Sequence, residues 1–336
     1  MSFGNIIISA LVFVAIVMIH EFGHFIVAKL SGIRVEEFAI GMGPKIAGKK
    51  KGETLYSLRA IPIGGYCKLT GEDEASSDIK AFNNKPLLTR MAVIFCGPLM
   101  NFILAVLIFS LIISQSTTIN EVIVNKPAYD AGIQKGDRIV EINGKKVEDW
   151  DSIKKAISSN PNIPINITLQ RNNEIKNVIV TPIVENETDG AVIGITPTLK
   201  ISGLSIKNGL STTIEVSKAM LDFLVKLFTG RASTDEVSGP IGIVVFINEA
   251  AKVGFLYLLN LTAFLSLNLG IVNLLPIPAL DGGRLLFLFI ELIRRKPIDI
   301  EKEGFINFIG FVALMVIAVI IAYKDLIKFN ILNFFR

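Results

Sequence analysis

Four apolar stretches constrain this chain more than any other feature: 3–28, 91–114, 253–280 and 304–323. Each is long enough to cross a hydrocarbon core about 30 Å thick as a helix. Lipid offers the backbone no hydrogen-bond partner, so such stretches must be helical. Composition agrees, with 51% apolar and 19% charged residues, a balance too oily for an ordinary soluble domain. The expectation is an α-helical polytopic membrane protein with about four transmembrane helices. Met1-Ser2-Phe3-Gly4-Asn5 carries no basic flank and the apolar run after it outlasts a signal-peptide core, so the first span is read as retained.

Loop charge predicts the orientation. Lys45, Lys49, Lys50, Lys51 and Arg59 lie between the first two spans, and Arg284, Arg294, Arg295 and Lys296 follow the third. Basic loops stay in the cytoplasm, which places the N-terminus, the segment from about 115 to 254 and the C-terminus outside. The net charge of +4 is thereby explained by topology, and nothing points to nucleic acid as a partner. Cys67 and Cys96 have no CxxC spacing and read as reduced bystanders.

Between the first two spans, residues 55–61 alternate weakly like a strand that Pro62-Ile63-Gly64-Gly65-Tyr66 breaks. If this strand dips into the bilayer edge it needs a partner, and a substrate is one candidate. Residues 120–184 show short apolar runs with turns such as Asn143-Gly144, the pattern of a small β-rich domain. A helix is expected over 149–158, with Asp151 or Ser152 as its cap, and an amphipathic helix over 204–228. Ser238-Gly239-Pro240-Ile241-Gly242 reads as a break. The expected organisation is a membrane core in two parts, 1–115 and 253–336, enclosing a β-rich domain over 116–200 and an amphipathic juxtamembrane segment over 201–252.

The chemistry is concentrated in His20-Glu21-Phe22-Gly23-His24, which holds both histidines of the protein. Histidines four apart on a helix share a face and can bind one Zn²⁺, while the glutamate between them serves as the base that takes a proton from water. Ionisable groups inside a span are costly unless they are functional, which argues against polar residues merely tolerated at a helix end. A catalytic zinc commonly has a third protein ligand. Asp281, at the end of the third apolar stretch, is the candidate, since Pro276 and Pro278 unwind the chain before it. A helix cap, a partner for Arg284, and Glu291 as a rival ligand stay open. Asn268 and Asn273, in the same stretch, need partners, either a neighbouring helix or a substrate backbone.

These residues resemble the site-2 protease family of intramembrane metalloproteases, of the bacterial regulator-of-sigma-E type, over nearly the whole chain. The resemblance rests on the His20–His24 motif, Ile61-Pro62-Ile63-Gly64-Gly65-Tyr66, Cys96-Gly97-Pro98-Leu99-Met100-Asn101-Phe102, the Ser238–Gly242 segment and Asn273-Leu274-Leu275-Pro276-Ile277-Pro278-Ala279-Leu280-Asp281-Gly282. It implies that His20, His24 and Asp281 bind Zn²⁺, that Glu21 is the catalytic base, and that Asn268 and Asn273 hold an unwound substrate. The segment Lys126-Pro127-Ala128-Tyr129-Asp130-Ala131-Gly132 to Asp137 resembles a PDZ domain, which implies an inserted extracytoplasmic domain that filters substrates by size. One PDZ segment is found where well-known relatives carry two, and Gly41-Met42-Gly43 stands in place of Gly-Phe-Gly. The implied substrates are transmembrane proteins already cut by another protease, such as anti-sigma factors or signal-peptide remnants. The implied location is the bacterial plasma membrane, with the active site near the cytoplasmic side.

Three other readings compete. A tethering scaffold has no use for His20, Glu21 and His24 together. A zinc transporter needs polar ligands continuing across the bilayer. A membrane zinc protease of another type would take Glu291 rather than Asp281 as its third ligand.

Overall fold

A computed structural model describes residues 3–72, 74, 76–184, 190–231 and 237–329. Met1 and Ser2 of the N-terminal flank, and the end of the chain assigned to the outer side, lie outside these residues. The chain divides into two compact units, one of Met1–Ser110, Ser205–Lys252 and Leu258–Arg336, the other of Leu111–Leu204 and Val253–Tyr257.

In the first unit, α1 (Phe3–Leu30) is apolar on all sides and gives way at Gly32, whose φ of 67° suits a residue without a side chain. A long hairpin follows, β1 (Val35–Lys51) and β2 (Thr54–Leu69). Two expectations are corrected here. The Pro62–Tyr66 stretch does not end the strand, which runs to Leu69, and its partner is β1 of the same chain. The break is absorbed as register shifts: Glu37–Ile40 pair on one side with Gly65–Lys68 and on the other with Leu55–Leu58. The hairpin lies hard against α1, because a Cβ on Gly65 would stand 2.6 Å from Met18 Sδ and 2.7 Å from the Ala39 carbonyl oxygen.

Helix α2 (Leu87–Phe109) starts before the apolar stretch 91–114 and ends five residues short of its end. Residues from Leu111 belong to β3 (Leu111–Val122), where Leu111–Ser114 pair with Lys200–Leu204 of the second unit's last strand. Hydropathy could not locate this change, since a run of β-branched apolar residues suits helix and strand alike. The helix α5 (Ile206–Phe228) begins at Ser205, whose hydroxyl accepts from the Asn208 N–H. The Gly-Pro segment, expected as a break, opens a further helix, α6 (Pro240–Val253), with proline in its first position. The third stretch holds α7 (Phe255–Asn273) and a loop, and α8 (Asp281–Arg294) follows it. The last helix, α9 (Ile300–Lys328), is capped by Asp299 and buries almost none of its apolar side chains, as expected of a helix in lipid. Among the described residues, four helices are long and apolar enough to cross a membrane: Ile7–Leu30, Leu87–Phe109, Phe255–Asn273 and Glu301–Lys328.

The second unit is β-rich. After β3 come α3 (Pro127–Asp130), β4 (Arg138–Ile142), β5 (Lys145–Lys146), α4 (Trp150–Ser158), β6 (Ile165–Arg171) and β7 (Glu174–Val180). The pair β8 (Ile183–Val184) and β9 (Ala191–Val192) precedes β10 (Ile195–Leu204). The main antiparallel sheet runs β10-β3-β4-β6-β7, with β5 attached to β4. Asn143-Gly144 and Asn172-Asn173 make two-residue turns with positive φ at every position. Alternation along β6 points Ile165, Ile167 and Leu169 into a core shared with Ile119, Ile139 and Ile153. The cap of α4 is Asp149 rather than Asp151 or Ser152, and it accepts from the Ser152 N–H.

Candidate metal centre

His20 and His24 occupy one face of α1 and are buried among α1, α2 and α8. The helices meet closely because small residues stand where they touch: a Cβ on Gly23 would lie 2.1 Å from the Cys96 carbonyl oxygen, and one on Gly97 would lie 2.2 Å from His24 Nε2. His24 Nδ1 donates to the Val93 carbonyl at 2.9 Å, which turns Nε2 inward. His20 Nδ1 faces the side-chain amide of Asn101 at 3.2 Å. The two Nε2 atoms stand 3.2 Å apart.

Asp281 completes the cluster. Its Oδ2 lies 3.0 Å from His20 Nε2 and 3.6 Å from His24 Nε2, and the three ligand atoms fall within 4.8 Å of one another. The loop after α7 brings it there. Ala279 adopts a φ of 75°, and Gly282 and Gly283 let α8 start directly on the carbonyls of Leu275 and Ile277, where a Cβ would come within 2.2 and 2.4 Å. Asp281 does not cap α8, and Arg284 pairs with Glu72 instead. Glu291 is bound to Arg90 at 2.5 Å, ten residues further along α8, or about 15 Å.

The donor set fits a zinc ion. Two imidazole nitrogens and a carboxylate are a known zinc ligand set, and two ligands about 2.0–2.1 Å from a tetrahedral ion stand about 3.3 Å apart. Asp281 Oδ2 is buried without a hydrogen-bond partner among the described residues, a state that ligation of a cation resolves.

The cluster opens on a polar cavity of about 460 Å³ whose wall includes Glu21, Tyr66, Glu72, Asn273 and Arg284. Asn268 is exposed on α7 and is not part of this wall.

The sequence profile of Peptidase family M50 matches residues 8–317. The chain belongs to peptidase family M50. This M50 protein is similar to a Clostridium acetobutylicum protein, 42% identical over 334 residues, which cover 97% of this chain and 98% of the relative. It is also similar to the regulator of sigma-W protease RasP of Bacillus subtilis, 34% identical over 417 residues, with 97% and 99% covered. The second alignment is longer than the 336-residue chain, so part of RasP has no counterpart here. Among solved structures, the PDZ domain of an SdrC-like protein from Listeria monocytogenes matches 25% of the chain and 88% of its own length, at 20% identity and a TM-score of 0.23. The M50 chain is thus a zinc metalloprotease of the site-2 protease family, and its cofactor is Zn²⁺.

Asn101 and Glu72 are positions that sequence reading left without a role. Asn101 carried a usable signal, an amide inside an apolar span as at Asn268 and Asn273, and the structure buries it fully. Glu72 lies in a loop and carried none.

Proposed function

We propose that this M50 protein is an intramembrane endopeptidase that hydrolyses peptide bonds in the transmembrane segments of proteins already cut by another protease. The observation that carries the reading is the buried His20–His24–Asp281 cluster, formed by a helix of spanning length and the helix after the third span, with Glu21 in the wall of the adjoining cavity. His20, His24 and Asp281 hold the zinc. When bound, the ion supplies the Lewis acidity that polarises a peptide carbonyl and acidifies water. Glu21 takes the proton of the attacking water and passes it to the departing amide nitrogen. Asn273, in the cavity wall, and Asn268, exposed on the same helix, offer amides to an unwound substrate backbone.

A helix hides its peptide bonds, so the substrate must be opened and held. The Gly65–Leu69 end of β2 runs along the cavity and can receive an extended substrate by strand addition. The second unit, which we read as a PDZ domain inserted between the two membrane parts, filters substrates on the extracytoplasmic side of the bacterial plasma membrane, with the active site toward the cytoplasmic side. The basic residues flanking the spans support this orientation.

Metal analysis tests the ligand set. The purified protein is expected to hold one zinc per chain, to lose it in His20→Ala, His24→Ala and Asp281→Asn, and to keep it in Glu291→Gln. Glu21→Gln should keep zinc but cleave nothing. Zinc retained by Asp281→Asn and lost by Glu291→Gln would overturn the assignment.

A further inference from the structure

The cavity beside the cluster carries three carboxylates in its wall, Glu21, Glu72 and Asp281, and against them one side chain of permanent positive charge, Arg284. Neither the ligand set nor the proton transfer uses it. We propose that Arg284 is a further catalytic residue, whose guanidinium donates to the carbonyl oxygen of the scissile peptide as that oxygen gains charge. The proposal rests on the protease reading above.

Position is the first argument. Arg284 follows Asp281 by three residues on α8, so the two side chains leave the same face of the helix, about 5–6 Å apart at Cβ. Arg284 is therefore one turn from the carboxylate of the cluster and in the wall of the same cavity. Rigidity is the second. The first turn of α8 is wedged against the Leu275 and Ile277 carbonyls through Gly282 and Gly283, which fixes the backbone carrying Arg284. Glu72, in the turn after β2, then pairs with Nη1 and tethers the head group, so the cation needs little rearrangement during the reaction.

Charge is the third argument. When the oxygen of water bonds to the peptide carbon, the carbonyl π pair moves onto its oxygen, and the proton of that water goes to Glu21. The C–N bond then breaks as the pair returns, and Glu21 delivers the proton to nitrogen. Atoms and charge balance, and between the two events a negative oxygen stands in a cavity that already holds three acidic side chains. A fixed donor aimed at such an oxygen typically contributes a factor of about 10²–10³ in kcat.

The alternative for Arg284 is a tether that only ties the turn after β2 to α8, and the two roles separate experimentally. The full-length protein is reconstituted, and Arg284→Ala and Glu72→Gln are compared for zinc content, kcat and KM on a truncated single-span reporter, and affinity for a phosphinic peptide that mimics the tetrahedral anion. For Arg284→Ala the expected result is retained zinc, KM within about twofold, and kcat and phosphinic affinity both lower by about 10²–10³. Free guanidinium ion should restore part of the rate, and Glu72→Gln should cost less than about tenfold. Arg284→Ala at the intact rate would overturn the proposal, and so would Glu72→Gln losing as much as Arg284→Ala with no rescue by guanidinium. Absence of cleavage by the intact protein would overturn the protease reading and this proposal with it, whereas the outcomes confined to Arg284 leave that reading standing.

Discussion

At the scale of single residues, the metal cluster depends on partners that orient its ligands. His24 is fixed by the Val93 carbonyl and His20 by Asn101, which is in turn anchored where the Ser266 hydroxyl donates to its backbone carbonyl at 3.1 Å. Such outer partners commonly contribute a factor of 10–100 in metal affinity. Asn101→Ala is therefore expected to weaken zinc binding by about 10–100-fold in a chelator competition while the fold survives. In the second unit, Asp137 is buried and bonded to Arg171 through both carboxylate oxygens, at 2.6 and 2.7 Å. Burial alone would raise the Asp137 carboxyl, but the Arg171 guanidinium and the Gln134 N–H outweigh it and hold the group below its ordinary range. A depressed carboxyl stabilises the fold fully above its unfolded value, near 4, and loses that contribution as pH falls through the folded value. Arg171→Gln should cost about 1.5–3 kcal/mol at neutral pH, read as faster hydrogen exchange in residues 165–180 of the intact protein, and less as the pH drops below about 4.

At the scale of elements, the sequence was legible where one physical signal dominated. Helical histidine spacing drew attention to His20 and His24, and the prolines before Asp281 marked a chain that leaves the helix. Alternation and Asn-Gly chemistry marked the strands around residue 143. Where two signals compete, sequence reading failed. Leu111–Ser114 are as apolar as the helix before them, and only pairing with Lys200–Leu204 makes them a strand. Pro62 and Gly64 look like strand breakers, yet β2 continues because its register shifts accommodate them. The Ser238–Gly242 segment is a third case, since the long-range contact that explains it cannot be read locally. Asp325 of α9 is buried, and its Oδ2 accepts from the Gly239 and Gly242 N–H groups at 2.9 and 2.8 Å, so it holds the N-terminus of α6. Asp325→Ala leaves these amides without their acceptor. It should cost about 3 kcal/mol locally, on the order of a hundredfold faster hydrogen exchange at Gly239–Ile243.

At the scale of the whole molecule, the chain joins a chemistry familiar from soluble enzymes to a lipid setting. The ligand cluster sits among helices whose outer faces are apolar, and the basic residues between them predict a defined orientation. In intact cells, a cysteine at Ser152 should react with an impermeant thiol reagent from outside, whereas one at Lys49 should react only after the membrane is opened; the reverse pattern would invert the topology. Intramembrane cleavage is tested by letting the reconstituted protein cut a truncated single-span reporter in lipid vesicles and locating the broken bond by mass spectrometry, with Glu21→Gln alongside. The expected result is a cut inside the apolar span, made by the intact protein and absent in Glu21→Gln although zinc is retained. A cut in the flanking water-soluble segment, or equal cleavage by both proteins, would contradict it.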